Sequence, residues 1–503
     1  MIRRVWKLVL IAGVSAGLTA TTSIATATPP PNAAPNARRA MPAAHGDKAT
    51  CAATQPGYAH CDAHVVTQAD NATPMATTSY SYGYRPADLQ TAYGVGAAAG
   101  TPTVAIVDAY DNPKAEADLS AYRSQFGLPA CTTANGCFAK RNQNGGTTYP
   151  ASSKGWGQEI ALDLDMVSAL CPNCHILLVE ANSSSMTDLM AAVDYAAAHA
   201  GYVSNSYGGS EFNGEQSYDS HFDKPGVVFT VSSGDDGYGA EYPAASAYVT
   251  AVGGTTLTLD STGHRTSEKA WSGAGSGCSA YVTKPAWQHD SGCARRTIAD
   301  VSAVANPSTG VAVYDSYGSG GANWFVFGGT SVAAPVVAAI YAVASVPAST
   351  DYAASYPYAT PSGLFDVTVG SNGSCSPAYL CTGAAGYDGP TGLGAPNGVS
   401  AFAAPGTVIT PPPPPPGDQP PVVDNATKSC SAKTCTFTIT AHDPDGATLT
   451  YAWTGATSTT NTAVVKFRSA GNYTVGANVS DGTNSAPVSF SVSCVQRNKL
   501  VCS

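Results

Sequence analysis

The spacing of apolar and polar positions changes character several times along the chain. TVAIVDAY at 103–110 reads as a buried strand, and KAEADLSAYRSQFG at 114–127 has helical spacing. WGQEIALDLDMVSAL at 156–170 predicts a second helix, followed by a strand in HILLVEA. MTDLMAAVDYAAAHA at 186–200 predicts a third helix, and YVSNSYGG and GVVFTVSSGDDG predict strands ending in turns. Strands alternating with helices specify an α/β fold with a mainly parallel sheet flanked by helices. Sites in such sheets gather at the carboxyl ends of the strands. One such end stands out: the apolar run WFVF meets a Gly-Gly-Thr-Ser turn at 328–331, and VAAPVVAAIYAV continues as a helix. That layout displays the Ser331 hydroxyl at the start of a helix.

Outside this region the pattern is different. Residues 1–27 are a basic start, an apolar stretch and an Ala-Thr-Ala site, which is the form of a secretory signal peptide. The apolar part is too short to span a membrane, and no later segment is long enough. Residues 28–80, rich in Ala, Pro, Thr and Asn without periodicity, read as a pro-segment or disordered leader. The α/β domain is expected over 81–405, and a Pro-rich linker over 406–421. In 422–503, LTYAWTGA, AVVKFRSAGNYTVGANVSDG and APVSFSVSC alternate as strands of a C-terminal all-β sandwich.

Fourteen cysteines fit an exported protein, and they fall into close neighbours. Sequential pairing would join Cys51/Cys61, Cys131/Cys137, Cys171/Cys174, Cys278/Cys293, Cys375/Cys381, Cys430/Cys435 and Cys494/Cys502. With no second CxxC in the chain, CPNC at 171–174 reads as a small structural disulfide rather than half of a zinc site. Charged residues make up only 12% of the chain and the net charge is −10, so a basic patch for nucleic acid is absent. Sparse charge also favours acid tolerance, because few native ion pairs are lost on protonation.

A serine nucleophile needs a base. The chain has nine histidines, and none falls in a His-Gly-x-His pattern. Glu159 and Asp163 offer a replacement, since a spacing of four places them on one helical face. Their helix is largely apolar, and two buried carboxyls in contact would share a proton and titrate together. Asp165 points away and is set aside. Asp235, in SSGDDG, reads as a turn residue or as a protonated acid able to donate to an oxyanion.

Taken in order, EIALD, SNSYGG, SSGDDG, YPAASAYVTAVGGTTL and GGTSVAAP resemble the sedolisin family of serine-carboxyl peptidases, over roughly 84–404. The resemblance implies a subtilisin-like fold and an endopeptidase acting in acid. It makes Ser331 the nucleophile, Glu159 the base, Asp163 its orienting partner and Asp235 the oxyanion donor. Ser206, Tyr207 and Gly208, with Gly273 and Gly275, would be strand edges that pair with an extended peptide. Asp108 would extend the acid network or cap its strand. The resemblance further implies one structural calcium ion, held by the Asp366 and Asp388 carboxylates and the Val367, Ala384 and Gly386 carbonyls. Family members carry a longer folded pro-domain, and some have tryptophan at the position of Tyr207. The last module resembles PKD or Ig-like domains, implying contact with a surface or insoluble protein, or a spacer. A secreted, monomeric zymogen acting on protein and peptide substrates is expected. The competing reading is an inactive secreted scaffold or adhesin that binds through its β-sandwich.

Overall fold

The computed structural model describes residues 41–42, 45–318, 321–344, 347–407, 420–442, 449–481, 484–496 and 499–503. The expected signal peptide, the start of the leader and most of the Pro-rich linker lie outside the described residues. Three short strands come first: β1 (Gly46–Ala49), β2 (His60–Cys61) and β3 (His64–Thr67). The α/β body opens with α1 (Pro86–Tyr93), β4 (Thr103–Ala109), α2 (Ala115–Gln125), β5 (Phe138–Asn142) and α3 (Lys154–Leu170). It continues with β6 (His175–Ala181), α4 (Met186–His199), β7 (Tyr202–Asn205), β8 (Tyr207–Ser210) and β9 (Val228–Ser232). Next come β10 (Glu241–Tyr242), β11 (Thr250–Leu259), β12 (Arg265–Ala270), β13 (Gly277–Thr283), β14 (Arg295–Ile298) and β15 (Val301–Val304). The body closes with β16 (Val311–Asp315), β17 (Asn323–Gly328), α5 (Thr330–Ala344), β18 (Leu364–Phe365) and β19 (Ala395–Pro396).

The central sheet runs β12-β11-β9-β7-β4-β6-β5, with β15 also on β11. Every pairing in it is parallel except β11 with β12. Strand periodicity sends alternate residues of β4 to opposite faces. Val104 and Ile106 join a core with α3 and α5, while Ala105 and Val107 join one with α4. Both faces of the sheet are therefore covered, which is why these strands read as continuous apolar runs. The predicted helices appear within a few residues of their expected bounds. YVSNSYGG, expected as one strand, breaks at Ser206 into β7 and β8.

The reading of 28–80 as a loose leader needs correction for residues 45–80. β3 lies between β1 and β17, in a sheet ordered β1-β3-β17-β16, and β2 pairs with β8. Ala59, Ala63, Val65 and Val66 are fully buried. The segment is part of the folded unit because Ala63 and Val65 join the core with α3 and α5, and Ala59 joins the one with α4.

The C-terminal strands form two antiparallel sheets. One holds β20 (Val422–Ser431), β21 (Thr434–His442) and β23 (Thr462–Lys466). The other holds β22 (Thr450–Thr454), β24 (Gly471–Ser480), β25 (Ser485–Gln496) and β26 (Leu500–Cys502). Phe437, Ile439, Val475, Val479 and Phe490 belong to their common core. All seven disulfides join the sequential neighbours, Cys171/Cys174 included.

Candidate active site

Ser331 occupies the first turn of α5, reached from β17 through Gly328 and Gly329. Gly329 has φ of 100°, a left-handed conformation that favours glycine. A Cβ there would fall 2.1 Å from the Asp62 carbonyl oxygen and 2.6 Å from Asp235 Oδ2. Pro335 lies four residues after Ser331 and has no N–H to give its carbonyl. That carbonyl instead accepts from the Ser206 hydroxyl at 3.4 Å. The Ser331 hydroxyl donates to the Ser206 carbonyl at 3.3 Å, and the Ser331 N–H donates to the Asp62 carbonyl at 3.1 Å.

The acids converge beside it. Glu159 and Asp163, one turn apart on α3, and Asp108, near the carboxyl end of β4, are all fully buried. Asp163 Oδ1 accepts from the Ser206 hydroxyl at 2.8 Å, so Ser206 ties Asp163 to the turn at Ser331. Neither Glu159 oxygen has a hydrogen-bond partner of good geometry, nor does either Asp108 oxygen. Ser331 and Asp163 are close enough to Glu159 to act on its titration. Burial first, then the neighbouring carboxyls, raises Glu159 and Asp108 well above the usual range. Burial likewise raises Asp163, against the pull of Ser206 and Glu159. Interacting carboxyls titrate together, and the first proton lost leaves a single charge among them.

Asp235 sits in the turn after β9. Its Oδ1 accepts from the Thr330 N–H at 2.7 Å and the Thr330 hydroxyl at 2.8 Å. Its Oδ2 is buried without a hydrogen-bond partner and lies 3.7 Å from His64 Nε2. Burial, with Asp62 as the second cause, pushes this acid up to about 8. With two donors on Oδ1, a proton held by this acid would sit on Oδ2, which lies toward Gly329. Asp165 does point away: its Oδ2 accepts from the Tyr314 N–H at 3.0 Å.

The strand edge expected to be open at Ser206–Gly208 is occupied. β2 pairs antiparallel with β8, setting His60 opposite Gly208 and Cys61 opposite Tyr207, and the Asp62 N–H points to the Ser206 carbonyl at 3.4 Å. Gly273 and Gly275 also bond to the loop that carries Asp235. Gly273 accepts from the Gly237 N–H at 2.8 Å and Gly275 donates to the Gly234 carbonyl at 2.7 Å, so both hold the Asp235 loop. A Cβ on Gly275 would lie 1.9 Å from the Ser233 carbonyl oxygen, which explains the glycine. Sequence reasoning missed His60, Asp62 and Glu241, whose ligating atoms lie within 4.8 Å of one another.

The Asp366 and Asp388 loops also come together. Asp366 Oδ2 accepts from the Gly386 N–H at 2.9 Å, and Asp388 Oδ2 accepts from the Ala384 N–H at 3.0 Å. Thr391 donates to Asp388 Oδ1 and lies 3.5 Å from the Val367 carbonyl oxygen. Burial, with Asp366 among the lesser causes, pushes Asp388 up to about 7. Two carboxylates beside a carbonyl, with no Lys or Arg paired to either acid among the described residues, fit a hard oxygen-seeking cation.

Residues 142–350 match the subtilase family model. Sedolisin of Pseudomonas sp. (strain 101) is 34% identical over 203 residues, covering 34% of this chain and 33% of that protein. Kumamolisin of Bacillus sp. (strain MN-32) is 27% identical over 364 residues, covering 64% and 63%. The chain thus spans between a third and just under two thirds of these curated relatives. A solved structure of Pseudomonas sedolisin, a serine-carboxyl proteinase in complex with pseudo-iodotyrostatin, superposes with a TM-score of 0.54 at 28% identity. The overlap covers 63% of this chain and 95% of that one. These likenesses support the sedolisin family. The α/β body has the subtilisin-like fold, and the Ser331 turn lies beside the buried carboxyls of α3.

Proposed function

We propose that the protein is a secreted serine-carboxyl endopeptidase that hydrolyses protein and peptide substrates in acid. The observation that carries this reading is the convergence of Ser331, Glu159, Asp163 and Asp235 around one turn. Ser331 attacks the substrate carbonyl while Glu159 takes its proton. Asp163, held by Ser206, keeps Glu159 in place and shares the charge. The Ser331 N–H and the Asp235 O–H stabilise the oxyanion. Glu159 gives that proton to the leaving amine as the peptide C–N bond breaks, then takes a proton from the attacking water and returns it to Ser331 Oγ as the acyl ester breaks. Asp235 must stay neutral to donate, so activity falls as pH rises through about 8.

Asp366, Asp388 and the Val367 carbonyl, with the Ala384 and Gly386 carbonyls, would hold one calcium ion. Bound there, it would supply structural stability to the loops between β18 and β19. Part of the segment ahead of residue 81 acts as the pro-segment of a monomeric zymogen, and the C-terminal sheets serve as a PKD or Ig-like module for surface or insoluble-protein contact. Casein digestion at pH 3–5 by wild type, Ser331→Ala and Glu159→Ala tests the reading. Loss of digestion in both variants supports it. An inert wild type, or a fully active Ser331→Ala, refutes it.

A further inference from the structure

The chain that lies on β8 has the geometry of a substrate. Its backbone runs antiparallel to β8 through His60 and Cys61, and Asp62 N–H and C=O face Ser206 and Ser331 in turn. On the other side, the Ala59 N–H donates to the Ser184 carbonyl at 2.8 Å, so the segment is gripped between two backbone edges. The Asp62 carbonyl oxygen accepts from the Ser331 N–H. Together with Asp235 Oδ2 it crowds the position where a Gly329 Cβ would stand. The Ser331 N–H, one of the two donors assigned to the oxyanion, thus holds the Asp62 carbonyl, and Asp235, the other, borders the same space beside Gly329.

The Asp62 side chain fills a pocket of its own. Its Oδ2 accepts from the Ser232 hydroxyl at 2.6 Å, and Glu241 closes the far side. Asp62 Oδ1 and Glu241 Oε2 are buried without hydrogen-bond partners. A Cβ at Gly208 would lie 2.5 Å from Glu241 Oε2, and one at Gly234 would lie 2.6 Å from Glu241 Oε1, so glycines leave room for the acid.

Resting on the peptidase reading above, we propose that the enzyme cuts its own chain between Asp62 and Ala63, and that the Ser232–Glu241 pocket selects an aspartate on the acyl side of the scissile bond. Ser331 Oγ bonds to the Asp62 carbonyl carbon and its proton passes to Glu159. The C–N bond to Ala63 breaks as that proton moves to the Ala63 amine. Water then cleaves the ester, giving the Asp62 carboxyl and restoring Ser331. Burial raises both Asp62 and Glu241, so in acid two protonated side chains can hydrogen-bond where two charges would repel. Both cysteines of the Cys51/Cys61 bridge precede the cut, so the released fragment keeps its disulfide and has no covalent tie to the body. β3 stays behind, paired to β17 through Val65 and His64.

The test incubates the full-length chain, wild type and Ser331→Ala, at about pH 4, followed by intact mass and N-terminal sequencing. A new amino terminus at Ala63 in wild type, and none in Ser331→Ala, is expected. A peptide copying residues 58–66, with serine for its cysteine, is then compared with its Asp62→Lys counterpart. The lysine peptide is expected to lose at least about tenfold in kcat/KM. A casein-digesting enzyme whose new terminus lies elsewhere, an Ala63 terminus in Ser331→Ala, or equal cleavage of both peptides overturns the inference and leaves the peptidase reading intact. A wild type inert toward casein overturns that reading itself.

Discussion

Replacing Asp235 with asparagine separates the charge of this side chain from its shape. Asparagine keeps an oxygen for the two Thr330 donors and places an NH2 group where Oδ2 carries its proton. Asp235 rises from 3.8 to about 8, chiefly through burial. A carboxyl raised in the folded state binds a proton that the unfolded chain has already released. Its stabilisation is therefore full below about pH 4 and is lost as pH rises through about 8. At pH 7 the separation from the unfolded value is about three units, or about 4 kcal/mol. Asparagine has no proton to lose, so Asp235→Asn is expected to be more stable than its parent at pH 7 by up to about 4 kcal/mol. The advantage should vanish at pH 4. Urea unfolding of both proteins at the two pH values, each carrying Ser331→Ala to prevent self-digestion, measures the difference. An Asp235→Asn effect that is the same at pH 4 and pH 7 refutes the neutral-acid assignment, and with it the proposed oxyanion donor.

Glu159→Gln and Ser331→Ala should each lower casein hydrolysis by at least about a thousandfold, and the double variant should be little worse than either, because the two residues act as one unit. Initial-rate assays of the three proteins check this. Arg296 pairs with Asp300 through both terminal nitrogens, with both residues fully buried. Arg296→Met leaves that carboxylate uncompensated and should cost about 3–5 kcal/mol in urea unfolding. Calcium at a hundred times its dissociation constant should stabilise the folded chain by about 2.7 kcal/mol. Thermal melts with calcium or a chelator should show this gain in wild type and lose it in Asp388→Asn.

The α/β body was legible in the sequence because strands buried on both faces and amphipathic helices carry strong periodic signals. β4, α3 and α5 are examples. Glu159 and Asp163 were legible for the same reason, as acids four apart in an apolar helix. Asp235 depended on resemblance, since Asp-Asp-Gly is also an ordinary turn. The N-terminal strands left no such trace. β2 has two residues and β3 four, and both pair with partners more than a hundred positions away. Glu241 lies in the two-residue strand β10, where no periodicity can develop. Its role comes from the backbone approach that Gly208 and Gly234 permit. Of the residues expected at the substrate edges, Tyr207 and Gly208 pair with the β2 segment, and Gly273 and Gly275 hydrogen-bond the loop that carries Asp235.

The seven disulfides have a consequence for how the chain matures. Each cysteine is bonded to the next one along, with separations from 3 to 15 residues. A chain delivered N-terminus first presents each pair complete before the following pair arrives. Simple oxidation in order of appearance therefore gives the native set, and reshuffling by an isomerase is not required. The same locality limits what each bridge does thermodynamically, because closing a short loop removes little freedom from the unfolded chain.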